Sequence, residues 1–180
     1  KDLEKLVEDI RRLLEELKKT VEDNKREIKE LLDRLREKVK ENLKRHKELN
    51  KRLRDTGAVS EDELRETEKK SRELEKRSRD LLKKLEERVE EIERRSDEEL
   101  KRLEDRVRKI EDDLRREGDR GKEVKDRIEE VLRELREAVR RHHEKVKEVL
   151  RELKEALDKH HKDVTDSLRD VERLVEEARR

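Results

Sequence analysis

Residues 128–145 read IEEVLRELREAVRRHHEK, and residues 146–163 continue at once with VKEVLRELKEALDKHHKD. Laid one above the other, the blocks agree along their apolar stripe. Ile128 stands over Val146 and then Val164, and Leu132 over Leu150 and Leu168. Leu135 stands over Leu153 and Val171, and Val139 over Leu157 and Val175. Within each block the apolar residues step by three and four, which is the spacing of one face of an α-helix. An 18-residue repeat is five turns at 3.6 residues per turn, the value of an unsupercoiled helix, whereas a strict seven-residue repeat imposes a left-handed supercoil.

The same repeat holds in the rest of the chain. Upstream it joins Leu17, Leu35 and Leu53, and also Leu13, Leu31 and Leu49. In the middle it joins Leu64, Leu82 and Leu100, and also Leu74, Ile92 and Ile110. The only glycines are Gly57, Gly118 and Gly121, and they cut the chain into three nearly equal parts. Gly57 suits the left-handed position that follows a helix end. Ser60 with Glu63 forms a capping box, and Val59 with Leu64 a hydrophobic staple. Gly118 is placed to close the second helix and Asp119 to cap the third. Short connections make successive helices antiparallel neighbours. The expectation is an all-α fold, a straight, nearly unsupercoiled antiparallel three-helix bundle running up, down and up. Residues 1–180 form a single bundle, with helices at about 2–56, 61–117 and 120–179.

Composition agrees with long helices and excludes several functions. The chain is 62% charged and 27% hydrophobic, which signals disorder only where apolar residues are scattered. Here they keep to one stripe. With 56 Lys plus Arg against 55 Asp plus Glu, the net charge is +1. That balance, without aromatic side chains to stack on bases, argues against nucleic-acid binding. The absence of cysteine leaves no disulfide framework and no catalytic thiol. No signal peptide and no long apolar run are visible, so a soluble protein without a membrane role is expected, cytoplasmic in an expression host.

Polar residues interrupt the stripe in a pattern. Asn24 and Asn42 are 18 apart and share a helical direction with Leu6. Ser78 and Ser96 share one with Leu114, and His142 and His160 share one with Val124 and Ala178. All six are therefore expected in the core. His143 and His161 fall beside them, at the edge of the seam. The climb from Asn24 to Asn42 is mirrored by the descent from Ser96 to Ser78 and accompanied by the climb from His142 to His160. Two layers result: Asn24, Ser96 and His142 with His143, and Asn42, Ser78 and His160 with His161. Thr20 lies one turn from the first layer. A third cluster gathers His46, Asn50, Thr67, Ser71 and Ser167, because the same register brings position 49 level with Ser71 and Ser167. An unpaired buried polar group costs roughly 1–3 kcal/mol. Asn, Ser and neutral His together supply both donors and acceptors, so such layers can pair internally and fix register.

A core built from Leu, Ile, Val and Ala, a Glu/Lys/Arg surface, capped short loops and His/Asn/Ser layers resemble de novo designed helical bundles with buried hydrogen-bond networks. The resemblance spans the whole chain. Complete absence of Phe, Trp, Tyr, Met, Cys and Pro fits it, since an average composition would supply on the order of ten aromatics. Spectrin-like repeats are a poorer match, being shorter and carrying aromatic core residues. The resemblance implies high stability and use as scaffold, switch or self-assembling subunit.

Four functions follow as expectations. The first is an artificial scaffold with no enzymatic activity, no cofactor and no required partner, monomeric because no apolar stripe is left over; Leu43 is the main apolar residue off the seam. The second is a pH-responsive switch in which protonation of buried His46, His142 and His160 loosens the bundle. The third is a self-assembling subunit, or a bundle awaiting a helix partner. The weakest is metal binding, because neighbouring histidines point about 100° apart on a helix and each layer lacks a second strong ligand.

Overall fold

A computed structural model describes residues 2–117 and 121–179. Three α-helices follow one another: α1 (Asp2–Thr56), α2 (Glu61–Glu117) and α3 (Gly121–Arg179). They contain 55, 57 and 59 residues. The roles expected for Gly118 and Asp119 lie outside the described residues.

The chain ends α1 by the means its sequence offers. Gly57 adopts φ 64°, and its N–H donates to the Arg54 carbonyl at 3.2 Å. A Cβ would strain that backbone, so glycine is the natural occupant. The Ser60 hydroxyl then accepts from the Glu63 N–H at 3.2 Å and caps α2. Val59 and Leu64 pack on the same apolar cluster. Glu61, Asp62 and Glu63 occupy the first turn of α2, and Arg115 and Arg116 its last, each sign favourable to the helix dipole.

The chain divides into two compact units, and each takes a segment from every helix. Unit 1 is Lys1–Lys29 with Val89–Val149, and unit 2 is Glu30–Arg88 with Leu150–Arg180. Within each unit the three segments pack as a three-helix bundle. Unit 1 centres on Ile10, Leu17, Val21, Leu103, Ile128 and Leu135, all nearly inaccessible to solvent. At its loop end, unit 2 is closed by Leu49, Leu53, Val171 and Val175. Residues 18 apart share the same fate: Leu17, Leu35 and Leu53 are all buried, as are Ile128, Val146 and Val164.

Ion pairs beside the core record the register. In unit 1, Arg11, Lys18 and Lys25 on α1 meet Glu111, Glu104 and Asp97 on α2. Each climb of seven residues is answered by an equal descent, so the two segments are antiparallel. In unit 2, Arg36, Lys47 and Arg54 meet Glu86, Glu75 and Glu68 in the same sense. Between α2 and α3, Asp113, Arg106 and Glu99 meet Arg127, Glu134 and Arg141 in unit 1, while in unit 2 Arg88 meets Glu152 and Ser78 meets His160. Within each unit α1 and α3 therefore run parallel. Pairs this exposed contribute about 0–1 kcal/mol each; they align more than they stabilise.

Candidate functional site

The sites of chemical interest are the polar interruptions of the core. Five polar side chains are buried among the described residues: His46, Asn50, Ser78, His142 and His160. Each lies on a core-facing direction of its helix, where the sequence repeat otherwise places Leu, Ile or Val.

The His46 cluster, in unit 2, draws on all three helices. His46 and Asn50 stand one turn apart on α1, Ser71 comes from α2 and Ser167 from α3. Ser167 Oγ lies 2.6 Å from His46 Nε2, and Ser71 Oγ lies 2.6 Å from His46 Nδ1. Asn50 Nδ2 donates to Ser71 Oγ at 2.5 Å and stands 3.4 Å from His46 Nδ1. A neutral imidazole offers one donor and one acceptor, and here each ring nitrogen faces a hydroxyl. One consistent proton arrangement has Nε2–H donating to Ser167, Ser71 donating to Nδ1, and Asn50 donating to Ser71. The cluster leaves one buried atom, Asn50 Oδ1, without a partner. Thr67 joins only through its backbone. Its hydroxyl donates to the Glu63 carbonyl at 2.9 Å, while its own carbonyl lies 3.1 Å from Ser71 Oγ.

The two repeated layers are sparser. In unit 1, Ser96 Oγ lies 3.4 Å from His142 Nδ1. In unit 2, Ser78 Oγ lies 3.2 Å from His160 Nδ1. The Nε2 atoms of both rings are buried without a partner, and so is Asn24 Nδ2. Asn24 and Asn42 are half-buried, and neither bonds to its layer among the described residues. Periodicity places these residues on the inward side, but an amide and an imidazole must also meet within about 3 Å. Thr20 is likewise half-buried.

His143 and His161 are exposed, which corrects their expected place at the seam. One residue advances a helix by about 100°. With His142 and His160 aimed inward, that step carries the following ring onto the solvent face.

Burial lowers the pKa of His46, His142 and His160 below the ordinary histidine value, since an imidazolium loses more hydration than a neutral ring. At His142 the effect is reinforced by His143 and Lys25. At His160, Asp163 opposes it and His161 adds to it. The neutral forms are thus favoured inside, and they are the forms that both accept and donate hydrogen bonds.

The interhelical ion-pair ladders are not among the features expected from the sequence. The signal was present in the 18-residue repeat. Lys18, Arg36 and Arg54 are spaced by it on α1, and their partners Glu104, Glu86 and Glu68 by its reverse on α2. Among the described residues no three His, Cys, Asp or Glu side chains gather where they could hold a metal ion. Among the described residues no helix is long and apolar enough to cross a membrane. No family model matches the chain, and no curated protein or solved structure matches it either.

Proposed function

We propose that this chain is an artificial structural scaffold of designed origin, without enzymatic activity, whose buried polar clusters set the register of its helices. The observation that carries the reading is the pairing of polar side chains across helices at three levels: Ser96 with His142, Ser78 with His160, and Ser71 and Ser167 with His46. Apart from these residues and Asn50, the buried side chains among the described residues are aliphatic. An aliphatic core favours burial at almost any register, whereas a buried polar atom is stable only opposite its partner. The same reading makes the chain a monomer that needs neither cofactor nor partner. No large hydrophobic side chain is exposed among the described residues, which supports it.

A variant with apolar layers tests the reading: Asn24→Leu, Ser96→Ala, His142→Leu, Asn42→Leu, Ser78→Ala and His160→Leu together, measured by light scattering and amide NMR. The parent is expected to give a monomer mass and one set of amide signals. The variant is expected to stay helical but to show several sets or a larger mass. A variant as unique as the parent removes the register role.

The lowered histidine pKa values favour a second reading, in which the scaffold responds to acid. Protonation turns an acceptor nitrogen into a donor and places a charge among aliphatic side chains. Loss of packing on acidification, reversed at neutral pH, is the expected behaviour; stability unchanged between pH 7 and pH 4 would dismiss it.

A further inference from the structure

The two histidine layers are near copies of one another, and the differences between the copies concern charge. Ser96 corresponds to Ser78, Arg95 to Arg77, Arg141 to Lys159 and His143 to His161. Each layer borders a groove between α2 and α3, of about 220 Å³ beside His142 and about 310 Å³ beside His160. Among the residues that line the grooves or stand at the same level on α1, three correspondences break the likeness in charge. Lys145, one turn after His142, becomes Asp163, one turn after His160. Glu99 becomes Leu81. On α1, Lys25 becomes Leu43.

We propose that the two layers protonate in a fixed order, His160 before His142, so that acid acts on unit 2 before unit 1. The proposal rests on the acid-response reading above and adds to it where the response begins.

Around His142, α1 supplies Lys25, α2 supplies Arg95 and Glu99, and α3 supplies Arg141, His143 and Lys145. Glu99 is engaged by Arg141 at 2.8 Å, and Arg95 by Glu91 at 2.7 Å. Lys25 is held by Asp97 at 2.5 Å. Lys25 nevertheless disfavours the His142 imidazolium, and Lys145 adds to the groove a positive charge that no ion pair among the described residues offsets, so the imidazolium would join both. Around His160 the groove is lined by Arg77 and Asp80 from α2 and by Lys159 and Asp163 from α3, while His161 follows on α3 and Leu43 holds the α1 position. Positive and negative charges there are balanced. Asp163 lies three residues beyond His160, on the neighbouring helical position where side chains interact. The unit 1 residue matching Asp80 is Glu98, which is turned toward Arg94 at 3.2 Å and does not line the groove. Ser96 and Ser78 approach Nδ1 of their rings alike, so hydrogen bonding does not reverse the order. An opposite charge nearby favours the imidazolium and a like charge disfavours it. Lys145 and Asp163 are exposed, so the gap should narrow as salt is added.

The test is a histidine side-chain NMR titration of the full chain from pH 8 to pH 4 at low ionic strength, with amide exchange followed in parallel. His160 is expected to titrate at higher pH than His142, with exchange rising first in unit 2. Exchanging the distinguishing charges, Lys145→Asp with Asp163→Lys, is expected to reverse the order. Both residues are exposed, so the fold should tolerate the swap. Simultaneous titration, His142 first, or an order that the swap does not alter would overturn the proposal. An ordered titration with unchanged stability would instead support the order and reject the acid-response reading.

Discussion

The His46 cluster and the His142 layer are built from the same side-chain types, yet they end in different states. His46 has a hydroxyl at 2.6 Å on each ring nitrogen, one from α2 and one from α3. His142 has one hydroxyl at 3.4 Å and a second nitrogen buried without a partner. The difference lies in what the third helix contributes. Ser167 lies opposite His46 Nε2, whereas α1 brings Asn24 to the His142 level without reaching the ring. Two short hydroxyls serve a two-sided ring better than one hydroxyl and a longer amide that must adopt one rotamer. A buried polar residue therefore stabilises only when every direction in which it bonds is met.

Acid should produce the largest effect, and it should act on both regions. Their folded-state pKa values lie below the unfolded value of about 6.5, so the unfolded chain binds more protons in mild acid. Stability should be complete above about pH 6.5 and fall as pH drops below it, by at most roughly 1.4 kcal/mol per pH unit for each histidine. The loss should level off once the folded-state values are passed. Denaturant titrations at several pH values measure this, and replacing His142 and His160 by Leu should flatten the slope without abolishing it.

At neutral pH the single replacements should divide. His46→Leu leaves Ser71 and Ser167 without their ring partner and should cost about 1–3 kcal/mol. His142→Leu removes an unpaired buried nitrogen along with one long hydrogen bond, and should be neutral or stabilising. Equal losses in urea melts of the two variants would erase the distinction. Replacing the hydroxyls should follow the same division on a smaller scale. Ser71→Ala should cost about 1–2 kcal/mol, since Ser71 serves both His46 and Asn50, and Ser96→Ala less than about 1 kcal/mol. Smallest of all should be Arg36→Ala, which breaks an exposed ladder pair with Glu86 at about 0–1 kcal/mol. A thermal melt showing a greater loss would move register control from the core to the surface.

Direction was legible in the sequence, and distance was not. The 18-residue repeat aimed Leu17, Leu35 and Leu53 inward, and their burial at 1–3% exposure agrees. It aimed His46, His142 and His160 the same way, because periodicity reports angle about a helix axis. It did not say that Asn24 would fall short of His142, since hydrogen bonding turns on a few tenths of an ångström between side chains of different helices. The angular step also places His143 in solvent, but its sequence neighbour and repeat partner made it look like part of the layer. Ion-pair choice was hidden for another reason. Lys18 has Glu15 on its own helix and Glu104 across the interface, and composition cannot rank the two.

Register is the claim on which the molecule's account depends, and a NOESY spectrum of the unmodified chain near pH 8 reads it most directly. His46 ring protons should show contacts to the β-protons of both Ser71 and Ser167, and His142 ring protons to those of Ser96. Contacts displaced by a helical turn, or rings that contact only their own helix, would contradict it.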